Sequence, residues 1–173
     1  MSEAVMIRIK PECCELIAKR QKIIEVRKTR PKIKTPFKCY IYETKDLYRG
    51  GGGCLFQGLG KVIGEFVCDY IEEYSSLQSK IKDCVEYQIS LQKLCEDIHL
   101  SIYEFCSYGN GKPLYGWHIS DLVIYDKPKE ISEFRKATKK CFYDDLGCAI
   151  PNCDDCTECN ITKPPQSWCY VEV

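Results

Sequence analysis

Several things are missing from this chain of 173 residues, and each absence narrows what it can be. No apolar run approaches the ~20 residues that a helical membrane span requires, so no such span is expected. There is no net charge, with 25 Lys and Arg against 25 Asp and Glu, which argues against a uniformly basic nucleic-acid coat. The opening residues, Met-Ser-Glu-Ala-Val-Met, lack a basic stretch followed by an apolar one. No secretory signal is read there, and a cytoplasmic protein is expected. No internal repeat is visible. The glycine run Gly50 to Gly53 lacks both the Gly-Lys-Ser/Thr ending of a P-loop and the Gly-x-Gly-x-x-Gly spacing of a dinucleotide fold, so it reads as a hairpin loop.

What is present is unevenly distributed. Eleven Lys or Arg lie between Arg8 and Lys38, against Glu12, Glu15 and Glu25. The stretch from Glu65 to Cys106 is acidic, and from Cys141 onward Lys163 alone opposes six carboxylates. A basic first segment that is contiguous in space attracts phosphates even on a neutral protein. Within it, Lys22 to Lys28 forms a short alternating strand that presents Lys22, Glu25 and Arg27, followed by more cations and Pro31. This stretch is either an anion or nucleotide cleft or a solvated edge. By the period of two, Glu25 and Arg27 share a face, and Lys22 joins them only from a turn preceding the strand.

The rest reads as a mixed fold. Val5, Ile7 and Ile9 alternate with Met6, Arg8 and Lys10 as a half-buried strand, and Pro11 opens a helix to Arg20. Further strands are expected at Phe37 to Thr44, Lys61 to Tyr70 with a bend at Gly64, Trp117 to Tyr125, and Trp168 to Val173. A short helix is expected from Ser76 to Val85. Leu91, Leu94, Cys95, Ile98, Ile102 and Phe105 keep helical spacing behind Ser90, and Gly109-Asn110-Gly111 ends it. His99 beside that stripe reads as a surface histidine. About six strands with two inserted helices favour an α+β fold around a small, closed or nearly closed barrel.

The chain holds 14 cysteines. Cys39, Cys68, Cys84 and Cys95 stand where small buried hydrophobes belong. Cys148, Cys153, Cys156 and Cys159 are different: four thiols among loop formers, with Cys141 able to replace one. Such spacing suits one structural Zn(II), whose four thiolates leave no open position for catalysis; free or redox thiols and an Fe–S cluster are the alternatives.

Ile7-x-Ile-Lys-Pro, the Lys22-x-x-Glu25-x-Arg27-Lys-x-Arg-Pro31 stretch, Val62-Ile-Gly-Glu-Phe, the segment Leu114 to Pro128 and Pro164-Pro-Gln-Ser-Trp-Cys-Tyr-Val171 together resemble ASCH-domain proteins of the PUA-like superfold. The resemblance is to the small type found in phages and Firmicutes and runs over most of the chain. It implies one domain over 1–173 and a small β-barrel with inserted helices; the Cys-rich stretch 139–163, read above as a zinc knuckle, is an insertion on that barrel before the terminal strand. It also implies RNA or nucleotide binding in a cleft beside the first helix, in the host cytoplasm if the protein is phage-encoded. Lys10, Lys22, Arg27 and Arg30 would then hold phosphate, which arginine does bidentately. Tyr42, Tyr115 or Trp117 would stack a base, and Glu25 would orient Lys22 or accept from a base amino group.

Some bacterial members are amidohydrolases acting on acetylcytidine, with a Lys, a Thr three residues later and a distant Glu. In that alternative Lys22 and Glu25 are catalytic, but Glu25 occupies the Thr position and no distant Glu is identifiable. A carboxylate does not perform a hydroxyl's role without changing the chemistry. A third alternative is a phage-type factor whose knuckle binds a partner protein. The cysteine reading has a direct test. Metal analysis should find about one zinc per chain, lost on substituting Cys153, Cys156 or Cys159, and chelator should make the C-terminal segment protease-sensitive. Metal-free protein with unchanged protease resistance would refute it.

Overall fold

A computed structural model of the chain describes residues 3–49, 53–74, 85–137 and 160–172. Its elements in order are β1 (Glu3–Ile9), α1 (Pro11–Ala18), β2 (Ile24–Arg27), β3 (Phe37–Glu43), β4 (Leu47–Arg49), β5 (Leu55–Gln57) and β6 (Val62–Glu73). Then come α2 (Val85–Ile98), α3 (Ile102–Gly109), β7 (Tyr115–Lys129), a 3-10 turn (Ile131–Glu133) and β8 (Trp168–Glu172). Six strands form one curled sheet in the order β2-β7-β6-β3-β1-β8. Only β1 and β3 run parallel, and the other neighbours are antiparallel. The result is α+β, as expected from the count of strands and helices, with the sheet curled into a half-barrel whose edges β2 and β8 do not pair with each other.

Strand β1 departs from its alternating pattern. Ala4 and Met6 are as fully buried as Val5 and Ile7. The reason is its place between β3 and β8, with one face against α1 and the other under Phe134, Ile161 and Val171. A strand covered on both sides buries every side chain. The inner core contains Val5, Ile7, Ile17, Phe37, Phe66 and Trp117. Cys14, Cys39 and Cys68 fill it as buried thiols, and burial first of all pushes the Cys68 thiol up to about 12.

The expected single helix behind Ser90 is two helices, and Ser90 lies inside the first. The chain turns at His99, an exposed residue with φ of 52°. Ser101 then caps α3: its hydroxyl accepts from the Glu104 amide at 3.2 Å, while the Glu104 carboxylate accepts from the Ser101 amide at 2.9 Å. This reciprocal pair lies inside the apolar stripe, where hydrophobic spacing alone runs straight through it. The helix expected at Ser76 falls mostly on residues outside those described; Val85 opens α2. At the glycine run, β4 and β5 pair antiparallel, Leu47 with Gln57, on either side of it. Strand β7 extends through Pro128 to Lys129, beyond the expected end at Tyr125.

Gly64 marks an irregularity in β6, as the sequence suggested, with the register to β7 shifting between Val62 and Gly64. A Cβ at Gly64 would meet the Val123 carbonyl oxygen of β7, with Ile124 Cδ1 at 3.1 Å. Gly64→Ala should therefore destabilise the fold by about 1–3 kcal/mol through overpacking. Chemical denaturation measures this, and an unchanged midpoint would mean the strands separate without cost.

Candidate nucleic-acid interface

Strand β2 is four residues long and begins after Lys22. Ile24 and Val26 point one way, into a small core with Tyr74, Ile98, Phe105 and Leu114. Glu25 and Arg27 point the other way, toward the barrel, where Glu25 lies opposite Trp117 and Arg27 opposite Tyr115 on β7. The sequence pattern suggested an outward charged face. Instead the helices α2 and α3 cover the apolar face of β2, so its charged face turns inward.

Lys22 sits on the connection leaving α1 and reaches the same place. Its side chain is 3% exposed, donates to the Ile98 carbonyl at the end of α2 at 2.5 Å, and stands 3.5 Å from Glu25 Oε2. Arg27 Nη2 lies 3.0 Å from Glu25 Oε1 and also donates to the Arg8 carbonyl on β1. Thus Lys22, Glu25 and Arg27 do come together, as a buried cation–anion–cation set tied to two backbone carbonyls. Lys22 and Glu25 are not presented to solvent, and the Lys22 contacts are those an ammonium donor makes. Lys10 is exposed at the N-cap of α1, and the β1 group that contacts the set is the Arg8 carbonyl.

Two groups that sequence reasoning passed over border this set. The Cys13 thiol of α1 is pushed up by burial and then by Glu25, with Lys22 and Arg27 opposing. It is therefore a thiol, not a reactive thiolate. The Tyr108 hydroxyl of α3 is pushed up by burial, with Arg27 opposing and Glu25 adding. The Lys28 ammonium lies 4.7 Å from the Tyr108 ring centre. Neither residue had a motif to reveal it; only packing brings α1 and α3 to β2.

Beyond Arg27 the chain becomes an exposed cationic loop. Lys28, Arg30, Lys32 and Lys34 are all exposed. A groove of about 630 Å³ is lined by residues 30–35 and Ile71. The loop is fixed at three points: Trp168 Nε1 donates to Thr29 Oγ1 at 3.0 Å, the Lys32 amide donates to the Tyr170 hydroxyl at 2.7 Å, and Arg30 lies 5.6 Å from the Tyr115 ring centre. Lys32 and Lys34 were not among the residues singled out from the sequence.

The expected stacking residues divide. Tyr115 is half-buried beside Arg30 and borders the groove region. Trp117 is 0% exposed, with Phe37 edge-on at 5.7 Å and Trp168 at 6.1 Å, so no base can reach its face. Tyr42 is 5% exposed and belongs to the outer core with Tyr40 and Phe134. Both were drawn inward because they lie on strands covered on the relevant face. Trp168 and Tyr170, half-buried next to the loop, are the aromatics actually placed there.

Among the described residues, no cluster of three or more His, Cys, Asp or Glu side chains could hold a metal ion. Cys141, Cys148, Cys153, Cys156 and Cys159 lie outside the described residues. No helix among the described residues is long and apolar enough to cross a membrane.

The buried set should matter for stability. Arg27→Ala leaves the Glu25 carboxylate, 9% exposed, without its hydrogen-bonding cation and should cost about 3–5 kcal/mol. Replacing Glu25 and Arg27 together by alanine should cost less than the two single losses added, because the partners share one interaction. Urea denaturation of the two single variants and the double variant measures it; strict additivity would mean the pair is not coupled.

No protein-family model matches the chain, and no curated protein matches it. Solved structures do. The ASCH protein from Zymomonas mobilis aligns over 98% of this chain and 87% of its own, with a TM-score of 0.59 at 15% identity. A Tyr-to-Phe mutant of the same protein aligns over 98% and 90%, again with a TM-score of 0.59, at 14% identity. At such identity the likeness is one of architecture, and it extends over nearly the whole chain. The α+β half-barrel of this chain is the ASCH fold, of the PUA-like kind.

Proposed function

We propose that this protein binds RNA or nucleotides, with phosphates held by the cationic loop that follows β2. The observation that carries the reading is the groove along residues 30–35, whose exposed Arg30, Lys32 and Lys34 lie on a loop anchored by side chains of β7 and β8. A cationic surface on a fixed loop supplies the charge-assisted contacts that phosphate oxygens require, and an ordered loop loses less entropy when the ligand arrives. The fold shared with the ASCH structures agrees with the family resemblance of the sequence, which implies RNA or nucleotide binding.

In this reading the residues singled out from the sequence divide into two roles. Arg30, with Lys28, Lys32 and Lys34, meets the phosphates. Lys22, Glu25 and Arg27 set the position from which that loop departs. Tyr115, Trp168 and Tyr170 supply the aromatic surface at its base. Amidohydrolysis with Lys22 as a base has less support, since a base needs a free amine facing its substrate. Here the Nζ is aimed at the Ile98 carbonyl. The zinc knuckle at Cys148, Cys153, Cys156 and Cys159 remains a proposal for a structural element apart from this chemistry.

The test is binding of a labelled single-stranded RNA by fluorescence anisotropy at two salt concentrations. Lys32→Ala and Lys34→Ala should each weaken binding and each reduce the slope of log affinity against log salt by roughly 0.7–1. Lys127→Ala, exposed on β7 and distant in sequence, is the control and should change neither. Binding that ignores the loop variants, or no binding at low salt, would overturn the proposal.

A further inference from the structure

Phosphate binding accounts for Arg30, Lys32 and Lys34, and most of the groove lining is cationic or polar. Pro31, Ile33 and Ile71 belong to the lining too, and phosphate gives them no role. Ile33 and Ile71 are half-buried, and both pack against the inner core that holds Phe37, Phe66 and Trp117. The exposed cations thus form a rim above an apolar floor continuous with the barrel interior.

Ile71 reaches that floor because β6 is bulged just before it. On β7, Ile119 and Trp117 are two residues apart and both face the inner core. Their partners on β6 are Cys68 and Ile71, three residues apart, so β6 carries one extra residue between them. Such a bulge reverses the alternation of the strand that follows. Regular alternation from Phe66 and Cys68 would have turned Tyr70 inward. Instead Tyr70 is 52% exposed and stacked on His118 at 3.8 Å, and Ile71 takes the place beside the groove.

An apolar floor does nothing for a phosphate, which stays hydrated and paired with the cations of the rim. It suits a ligand that carries a flat, weakly hydrated group next to its charge. On the nucleotide-binding reading above, on which this inference rests, that group is the base. A groove of about 630 Å³ falls within the ~300–1,000 Å³ of ordinary ligand sites, so one nucleotide has room there. We infer that Ile33 and Ile71 seat a nucleobase in the groove while Arg30, Lys32 and Lys34 hold the adjoining phosphates. The two aliphatic side chains offer no donor or acceptor to a base edge, and every base has a face to pack on them. Thr35 adds one hydroxyl, which both donates and accepts and so fits any base. The seat therefore requires a base and is largely indifferent to which one. The ligand class is a base-bearing nucleotide chain of mixed sequence, as against polyphosphate or another bare polyanion.

The test compares labelled RNA hexamers of A, C and U with an abasic hexamer of the same ribose-phosphate backbone, by fluorescence anisotropy on the full-length protein. The abasic strand should bind at least about tenfold more weakly, with the same salt slope, because it keeps every phosphate and loses only apolar burial. The three base-bearing strands should lie within about tenfold of one another. Ile71→Ala, with folding checked by thermal denaturation, should weaken the base-bearing strands several-fold and leave both the abasic strand and the salt slopes unchanged. Ile33→Ser, on the loop and outside the sheet, should do the same. Lys32→Ala with Lys34→Ala should weaken all four strands and flatten all four slopes. If the abasic strand binds as tightly as the others, or if both isoleucine variants leave the difference intact, this inference fails while the phosphate-binding reading stands. A preference of a hundredfold for one base would refute an indifferent seat. Absence of binding by all four strands at low salt would overturn both.

Discussion

A carboxylate cannot be removed from water without a cation and hydrogen-bond donors around it, and Glu25 is a carboxylate almost removed from water. Its two cations do more than neutralise it. Lys22 reaches the last carbonyl of α2, and Arg27 reaches the Arg8 carbonyl on β1. The sheet order leaves β2 and β8 as its two edges, with β1 next to β8. The Arg27 contact therefore crosses the opening of the half-barrel by side chain, without a strand ladder. The Trp117–Trp168 and Trp168–Thr29 contacts cross it beside Arg27. One buried ion set thus holds the edge strand, the end of a helix and the seam of the barrel.

That arrangement explains how a basic segment can be both structural and free to bind. Cations consumed in the interior are screened from salt and fix geometry, whereas cations on the loop are solvated and respond to salt. In this chain the boundary falls between Arg27 and Lys28. Arg27 is inside and bonded to backbone, while Lys28, Arg30, Lys32 and Lys34 are outside. The loop owes its place to the residue before it and to the aromatic hydroxyl and indole of β8. A binding surface held this way does not depend on a large apolar pocket, and the groove lining is largely polar and cationic.

The likeness to the Zymomonas mobilis structures at 14–15% identity shows how little sequence such a barrel needs in common. In this chain the contacts that span the opening of the barrel use charged groups and an indole. The buried cysteines Cys14, Cys39 and Cys68 act as small apolar side chains, and burial keeps them protonated.

By itself the sequence determined the class of the fold and most of its elements, because alternation and glycine punctuation are local signals. It placed strands at Phe37, Val62 and Trp168, the helix opened by Pro11, and the break in β6 at Gly64. It also brought Lys22, Glu25 and Arg27 together by parity, with Lys22 on a turn. It did not reveal which way they face, since a period of two names two faces and leaves open which one is buried. Only the docking of α2 and α3 on Ile24 and Val26 decided that, and it turned the charges inward. For the same reason Trp117 and Tyr42 were legible as strand aromatics but not as core residues. The helix break at His99 was hidden because a capping pair fits within an unbroken apolar stripe. Cys13 and Tyr108 carry no motif, and their nearness to the buried charges arises from contacts between elements distant in the chain, which tertiary packing alone creates.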